Sequence, residues 1–373
     1  MKKKVLFLRS NPIAPDPRVE KEARALHEAG YEVTMLGWDR TCSLSKYEET
    51  DYGNIQRLFI PANFGTGLKN LPHLLKWQLG LFKYLLKNKV DIIHSCDFDT
   101  IIPAIFVSKI RKTKVVYDIF DFYSDMLRST PSIVKSFIKK IDYLMINQAD
   151  ALIICDDSRY NQIKGSKPKS TTVIYNSPEE TKGMAKLING MEEEIKGELT
   201  VSYVGLLQKE RGILEMMEVI SNSPNWKMHI AGFGGDEKLI KEKADKHQNI
   251  KYHGRVSYKQ SLEISNQGDV LFATYDPEIP NHKYSSANKL FEAMMLGKPI
   301  IVCKDTGMDS IVEKLNNGVI VDYGNKAQIK SALETLTNNE RYDFLSENSR
   351  QGYLTTYGWD VMKRKLITLY NSF

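Results

Sequence analysis

The chain has 373 residues, 42% of them hydrophobic and 26% charged, with 52 Lys and Arg against 46 Asp and Glu for a formal net charge of +6. This composition marks a globular protein, and the length suggests two domains of about 150 to 200 residues rather than one large core. No stretch approaches the roughly 20 apolar residues of a membrane-spanning helix, and the apolar run behind the basic opening MKKK ends at Leu8, too short for the core of a signal peptide.

The first elements are short β-branched runs separated by helical periodicity. KVLFLRS (4–10) and YEVTMLGW (31–38) read as strands. Between them DPRVEKEARALHEAG (16–30) places Val19, Ala23, Leu26 and Ala29 at helical spacing and stops at Gly30, which makes a βαβ opening. Strands follow at IQRLFIP, DIIHSC, KVVYDI, ALIICDD and TTVIYN. Within this half lies LKNLPHLLKWQLGLFKYLLKNK (68–89), in a stretch without Asp or Glu between Asp51 and Asp91. Its lysines alternate with Leu, Trp77, Phe82 and Tyr84. Such a helix can pack its apolar side on a sheet, and it can also lie in an anionic membrane interface. Nucleic acid is not an expected partner. The four cysteines, Cys42, Cys96, Cys155 and Cys303, stand singly without metal-ligand spacing. A reducing cytoplasm is the expected compartment.

The polar segment SPEETKGMAKLINGMEEEIKGE (177–198) interrupts the alternation and is the expected interdomain connection. A second series then runs through LTVSYVG, GILEMMEVISN, WKMHIAGFG, DEKLIKEKADKH, IKYHGRV, YKQSLEISNQ, DVLFATY, SANKLFEAMMLG, KPIIVC, NGVIVDY and KAQIKSALETLTN. Alternating strands and helices imply a doubly wound parallel sheet in each half, with ligands at the carboxyl ends of the strands. The final WDVMKRKLITLYNSF (359–373) reads as a helix.

Three loops carry chemistry. In YVGLLQKERGILEMM (203–217), Gly205 permits close approach of a ligand, Gly212 opens a helix, and Lys209 and Arg211 stand at that helix's positive end. The order of a Walker loop is absent. IAGFGGD (230–236) is a second glycine turn after a strand. In YSSANKLFEAMMLGKPII (284–301), Ser285 or Ser286 can cap a helix whose first N–H groups would hold a diphosphate, and Glu292 is suited to two ribose hydroxyls. The alternative for Glu292 is an ordinary ion pair with Lys289 or Lys298.

These segments occur together in an order that resembles a known family. NKLFEAMMLGKPII (288–301) resembles the donor-site helix of the retaining glycosyltransferases of family four, and VGLLQKERGI (204–213) their diphosphate loop. DPRVEKEARALHEAGYEVTMLGWDR, DIIHSCDFDT, KVVYDIFDFYSD, VIYN and GRVS also look like the family's markers. The resemblance implies an α/β GT-B fold, two Rossmann-like doubly wound domains facing a central cleft. It implies an acceptor-side domain at residues 1–178, a donor domain at 179–357, and a final helix at 358–373 crossing back to the first domain. Arg211 would meet the diphosphate, Glu292 the ribose, and Ser286, Asn288 and Lys289 the phosphate-binding helix start. Gly205, Lys209, Asn176 and Arg255 would frame the nucleotide. On the acceptor side the resemblance points to Arg18 and Asp97.

Three positions depart from the family's pattern. Tyr284 stands where a glutamate is common, leaving sugar recognition to Asp276, Glu278 or backbone groups. Leu206 replaces an arginine, and Phe120 replaces a histidine, which shifts the expected catalytic role onto Asp121 or Asp118 together with Arg211. The implied reaction is metal-independent transfer of a sugar from a nucleoside-diphosphate-sugar, UDP slightly favoured over GDP, to a glycan or lipid-linked acceptor in surface polysaccharide assembly. The place of reaction would be the cytoplasm or the inner membrane face, and no separate cofactor is expected. Rival readings are a nucleotide-sugar epimerase of the same fold, a weakened donor-binding homologue, and a metal site at Asp97-Phe98-Asp99. A two-domain sugar-binding protein is disfavoured by the missing export signal.

Overall fold

The computed structural model describes residues 2–63, 70–127, 130–180, 198–284 and 287–373. They form two compact units, Met1–Ile174 with Lys363–Phe373, and Tyr175–Met362. Of the expected connection at 177–198, residues 181–197 lie outside the described residues.

The first unit runs β1 (Lys4–Arg9), α1 (Pro17–Glu28), β2 (Glu32–Asp39), β3 (Tyr47–Thr50), β4 (Gly53–Phe59), α2 (Leu71–Lys87), β5 (Ile92–Cys96), α3 (Phe98–Arg111), β6 (Lys114–Ile119), α4 (Tyr123–Met126), α5 (Ser132–Gln148), β7 (Ala151–Ile154) and β8 (Thr171–Val173). Its sheet has the order β3-β4-β2-β1-β5-β6-β7-β8, parallel except for the β3–β4 hairpin. Strands such as β1 and β5 are buried on both faces, which explains their unbroken apolar runs. Helices α2, α3 and α5 cover one face through Trp77, Leu81, Leu85, Ile101, Ile105 and Ile146. Helix α1 starts where the Asp16 carboxylate accepts from the Val19 amide and Pro17 presets the first turn. It buries Val19, Ala23 and Leu26, the expected periodic positions.

The second unit runs β9 (Leu199–Leu206), α6 (Ile213–Ser221), β10 (Trp226–Phe233), α7 (Glu237–Ala244), β11 (Ile250–Tyr252), α8 (Tyr258–Gln267), β12 (Val270–Ala273), α9 (Pro280–Lys283), α10 (Asn288–Leu296), β13 (Ile300–Cys303), α11 (Met308–Leu315), β14 (Gly318–Val321), α12 (Lys326–Leu336) and α13 (Asn339–Gly352). The last helix, α14 (Trp359–Asn371), begins in this unit, and from Lys363 onward its residues belong to the first. The sheet order is β11-β10-β9-β12-β13-β14, all parallel.

Among the parallel strands of each sheet the order reverses once, between β1 and β5 in the first and between β9 and β12 in the second. Loops leaving those neighbouring strands diverge to opposite faces and leave a crevice at their carboxyl ends, where α/β sheets bind ligands. The residues following β9 and β12, and those following β1 and β5, therefore border these crevices. No helix among the described residues is long and apolar enough to cross a membrane. All four cysteines are free.

Candidate active site

At the β9–β12 reversal of the second unit a pocket of about 430 Å³ opens, with Gly205, Arg211, Gly232, Tyr275, Asn288, Lys289 and Glu292 among its walls. Backbone packing explains its glycines. A Cβ on Gly232 would stand 1.8 Å from the Gly205 carbonyl oxygen, and one on Gly212 would stand 2.2 Å from Thr274 Oγ1. Gly212 also holds φ +67°, so it ends the 3-10 turn Lys209–Arg211 and opens α6 at no steric cost.

Two cationic side chains meet in this pocket. The Arg211 guanidinium lies 4.4 Å from the centre of the Tyr275 ring, and its Nε donates to Gln208 Oε1 at 3.3 Å. The Lys289 ammonium lies 4.3 Å from the centre of the Tyr203 ring. Aromatic faces hold both charges in place by cation–π attraction while leaving N–H groups available for an anion. Burial pushes the Tyr275 phenol up, but Lys289 and Arg211 outweigh it and bring its pKa below the ordinary value. The pocket is positive because Arg211 and Lys289 both line it. Glu292 sits one turn beyond Asn288 on α10, is only 8% exposed, and lines the same pocket.

Helix α10 starts at Asn288 behind an Ala287 cap that makes no side-chain capping hydrogen bond. The expected serine cap is thereby corrected, since the helix begins after both serines. Ser285 and Ser286 lie outside the described residues. Ala287 and Asn288 line the pocket, so the positive end of the dipole faces it. Asn176 joins the site by donating from Nδ2 to Asn288 Oδ1 at 2.7 Å.

Other expected donor residues fall at the pocket's margin or outside it. Arg255 stacks 4.4 Å from the Phe233 ring centre, and Phe233 lines the pocket while 44% exposed. Lys209 is exposed, with its amide donating to Asp236 at 2.8 Å, and it is absent from the pocket wall. Asp276 and Glu278 are also absent from that wall. Sequence reasoning missed Tyr203, Tyr275, Phe233 and Tyr258. For Phe233 and Tyr275 the visible signal was an aromatic residue at or just past a strand end, which in a sequence cannot be told from core, whereas Tyr203 lies inside β9 and Tyr258 opens α8 without such a signal.

In the first unit, Arg9 at the end of β1 pairs with Asp97 at the end of β5, and its Nε lies 2.9 Å from Asp16 Oδ2. Asp97 has φ +63° and ψ 171°, a region that costs a non-glycine residue on the order of 1–3 kcal/mol. The strain is offset where its Oδ1 accepts from the Phe120 amide at 2.9 Å. Phe120 lies under two guanidinium groups, Arg9 at 4.1 Å and Arg18 at 4.7 Å from the ring centre. A neutral ring thus stands among charged groups. Asp121 keeps 43% of its side chain exposed and pairs with Arg159 at 3.0 Å.

Asp118, expected to share the catalytic role, has no exposed surface. It accepts from Arg18 Nη2 at 3.0 Å and lies 3.4 Å from His94 Nε2. Burial pushes its pKa up, but Arg18 and His94 hold the carboxylate below its ordinary value. Asp118 is therefore an internal counter-ion, which corrects the expectation that it would face a reacting group. Arg18 is equally committed: it is 6% exposed, donates to the Ile174 carbonyl at 2.9 Å, and lies 3.2 Å from Glu22. Among the described residues, the group of potential metal ligands that come together is Glu22, His94 and Asp118, within 4.8 Å of one another. Arg18 already supplies positive charge there, so the residues present do not fit a divalent ion. The Asp97-Phe98-Asp99 pair does not belong to that group.

Comparison with known proteins bears on both units. Residues 18–177 match the family described as Glycosyltransferase Family 4, and residues 188–352 match Glycosyl transferases group 1. The chain is 25% identical over 198 residues to the capsular polysaccharide biosynthesis glycosyltransferase CapM of Staphylococcus aureus, an alignment spanning 50% of each protein. It is 22% identical over 309 residues to the alpha-monoglucosyldiacylglycerol synthase of Acholeplasma laidlawii, spanning 76% of each. Sucrose-phosphate synthase from Thermosynechococcus elongatus superimposes with a TM-score of 0.77 at 16% identity, covering 100% of this chain and 99% of that one. HepE of Anabaena, solved with UDP and glucose, gives 0.69 at 15% identity and covers 100% of both. At such identities these structures establish the fold alone, which is GT-B.

Proposed function

We propose, since the chain belongs to the GT-B glycosyltransferases of the family-four type, that it moves a sugar from a UDP-sugar to a glycan or lipid-linked acceptor with retention of configuration. The observation that carries this reading is the pocket in which Arg211, Lys289 and the start of α10 converge, with Glu292 one turn further in. That spacing suits a nucleoside diphosphate: phosphates against the cations and helix start, ribose hydroxyls against the carboxylate. UDP as the nucleotide is supported by HepE, whose structure was solved with UDP and glucose.

In the proposed reaction the bond between the anomeric carbon and the phosphate oxygen breaks and its electron pair stays on the diphosphate. The acceptor oxygen bonds to the anomeric carbon from the same side, and its proton passes to the departing phosphate. Negative charge therefore grows on the diphosphate, where Arg211 and Lys289 are already fixed by Tyr275 and Tyr203. Preorganised donors of this kind act without reorganisation during the reaction, and one of them can contribute about 3 kcal/mol. A proton-accepting leaving group also accommodates Phe120 in place of a basic residue. Asp121, partly exposed and fixed by Arg159, is the proposed acidic contributor on the acceptor side. Surface polysaccharide or glycolipid assembly at a membrane is the proposed setting, supported by the names of CapM and the alpha-monoglucosyldiacylglycerol synthase.

The experiment that tests the reading is a thermal-shift series with UDP, UDP-sugars and GDP-sugars, followed by product analysis with the donor that binds. A ligand that binds the native state raises its melting temperature by mass action. Stabilisation by UDP-sugars, lost in Arg211→Ala, is expected. Equal indifference to every nucleotide sugar would remove the assignment.

A further inference from the structure

The outward surface of α2, α3 and α5 combines large apolar tips with a single sign of charge. These helices lie side by side on one face of the first sheet, with α3 in contact with both α2 and α5. Each sends its buried stripe to the core, and each carries a second apolar stripe facing solvent. On α2 that stripe is Leu71, Leu75 and Leu79, at four-residue spacing, with Leu79 60% exposed. On α3 it is Phe106 and Ile110, at 59% and 64%. On α5 it is Ile133 and Phe137, at 82% and 63%, with Leu144 beyond them. Exposed apolar residues scattered singly need no explanation, but three adjacent helices presenting them together do.

The charges between these tips are exposed lysines, among them Lys76, Lys83, Lys87, Lys109 and Lys140. The three helices contain two carboxylates, and both turn inward. Asp142 is 1% exposed and accepts from the Tyr117 hydroxyl at 2.7 Å, and Asp99 Oδ1 is sequestered from solvent.

We propose that the outer face of α2, α3 and α5 docks on an anionic lipid bilayer, with the aliphatic and aromatic tips in the headgroup boundary and the lysines against the lipid phosphates. This rests on the reading that the chain works at a membrane and names the surface that holds it there. Charge decides among occupants. A second copy of the chain would set one all-basic face against another, and like charges facing each other across an interface oppose association. A lipid surface offers the opposite sign and an apolar layer beneath it.

The test uses the full chain with vesicles of phosphatidylglycerol mixed into phosphatidylcholine and with phosphatidylcholine alone. Sedimentation with the anionic vesicles only, declining as salt is raised, is expected. Lys83→Glu/Lys87→Glu/Lys140→Glu should weaken it by at least about a hundredfold, since each lysine lost at an anionic surface costs about 1 kcal/mol and each glutamate adds repulsion. Phe106→Ser/Phe137→Ser should also release the protein, with the melting temperature unchanged because both side chains already face solvent. Equal partition onto neutral and anionic vesicles, or wild-type partition by the lysine variant, overturns the proposal. So does concentration-dependent self-association that the Phe106→Ser/Phe137→Ser variant abolishes, since the face would then be an interface between copies. Thermal stabilisation by UDP-glucose is read on the same variants: its loss from the wild type would sink the donor assignment and leave the vesicle result standing.

Discussion

Lys289 reaches across to Gly205: a Cβ placed on Gly205 would stand 2.6 Å from the Lys289 ammonium nitrogen, and Gly205 itself holds φ +151°. The glycine is what lets a buried lysine lie against the end of β9 with its charge in the pocket. Gly205→Ala must displace Lys289 and strain the loop, at a cost on the order of 1–3 kcal/mol. Stabilisation by UDP-sugar should fall sharply in this variant. Unchanged stabilisation would show that Lys289 does not meet the ligand.

Arg211 and Glu292 are expected to fail differently. Arg211→Ala weakens the hold on the bound diphosphate and also removes an interaction that grows as it departs, so the donor KM should rise and kcat should drop about 10²–10³-fold in addition. Glu292→Gln keeps shape but weakens the hold on the ribose, so the effect should appear mainly in the donor KM. Circular dichroism melting of both should match the wild type. Equal kcat losses with unchanged KM in both would contradict the division of roles.

Asp118 and Asp121 separate structure from chemistry. Asp118→Ala strips a buried counter-ion from Arg18, and breaking such a pair typically costs about 3–5 kcal/mol. Denaturant unfolding should show that loss directly. Asp121→Asn keeps an oxygen that can accept from the buried Arg159, so it should cost much less stability than Asp118→Ala while lowering transfer. A fully active Asp121→Asn enzyme would remove Asp121 from the mechanism.

The Glu22 side chain, with no exposed surface, should make stability fall as pH rises. Burial pushes its pKa up to about 8 from 4.5, with Arg18 opposing and Asp118 reinforcing the shift. The folded state therefore keeps a proton that the unfolded chain releases. The group's contribution is complete below the unfolded value and is lost as pH climbs through about 8. Asp97 and Asp142, raised by burial to about 6 and about 7, act with the same sign at lower pH. The diagnostic is consequently the difference between proteins. Glu22→Gln should flatten the decline in melting temperature, which for one such group corresponds to at most about 1.4 kcal/mol per pH unit. Parallel profiles for wild type and variant would exclude Glu22 as the titrating group.

Much of the second unit was legible because parallel strands buried on both faces leave continuous apolar runs, and because glycine turns follow them. That punctuation located the loop of Arg211 and the helix of Glu292, and the resemblance to the family supplied their expected donor roles. The β3 hairpin strand was not, since YEET alternates exposed and half-buried positions at a sheet edge and lacks an apolar run. Helices α11 and α13 also escaped notice: the first is short, and the second buries few apolar side chains. The start of α10 was placed too early because a serine pair is a strong capping signal, whereas the backbone turns into the helix only after Ala287.

By itself the sequence determined the α/β class, the two sheets, the glycine loops and the family, since each is written in local periodicity or in contiguous motifs. Tertiary structure alone decided which charges face a ligand and which neutralise one another. Arg18 and Arg211 look alike in a sequence. One is enclosed by Asp118, Glu22 and the Ile174 carbonyl, and the other rests on an aromatic ring at a pocket wall. Whether a charge is compensated depends on partners far along the chain, Asp118 for Arg18 and Tyr275 for Arg211, and only folding brings them together.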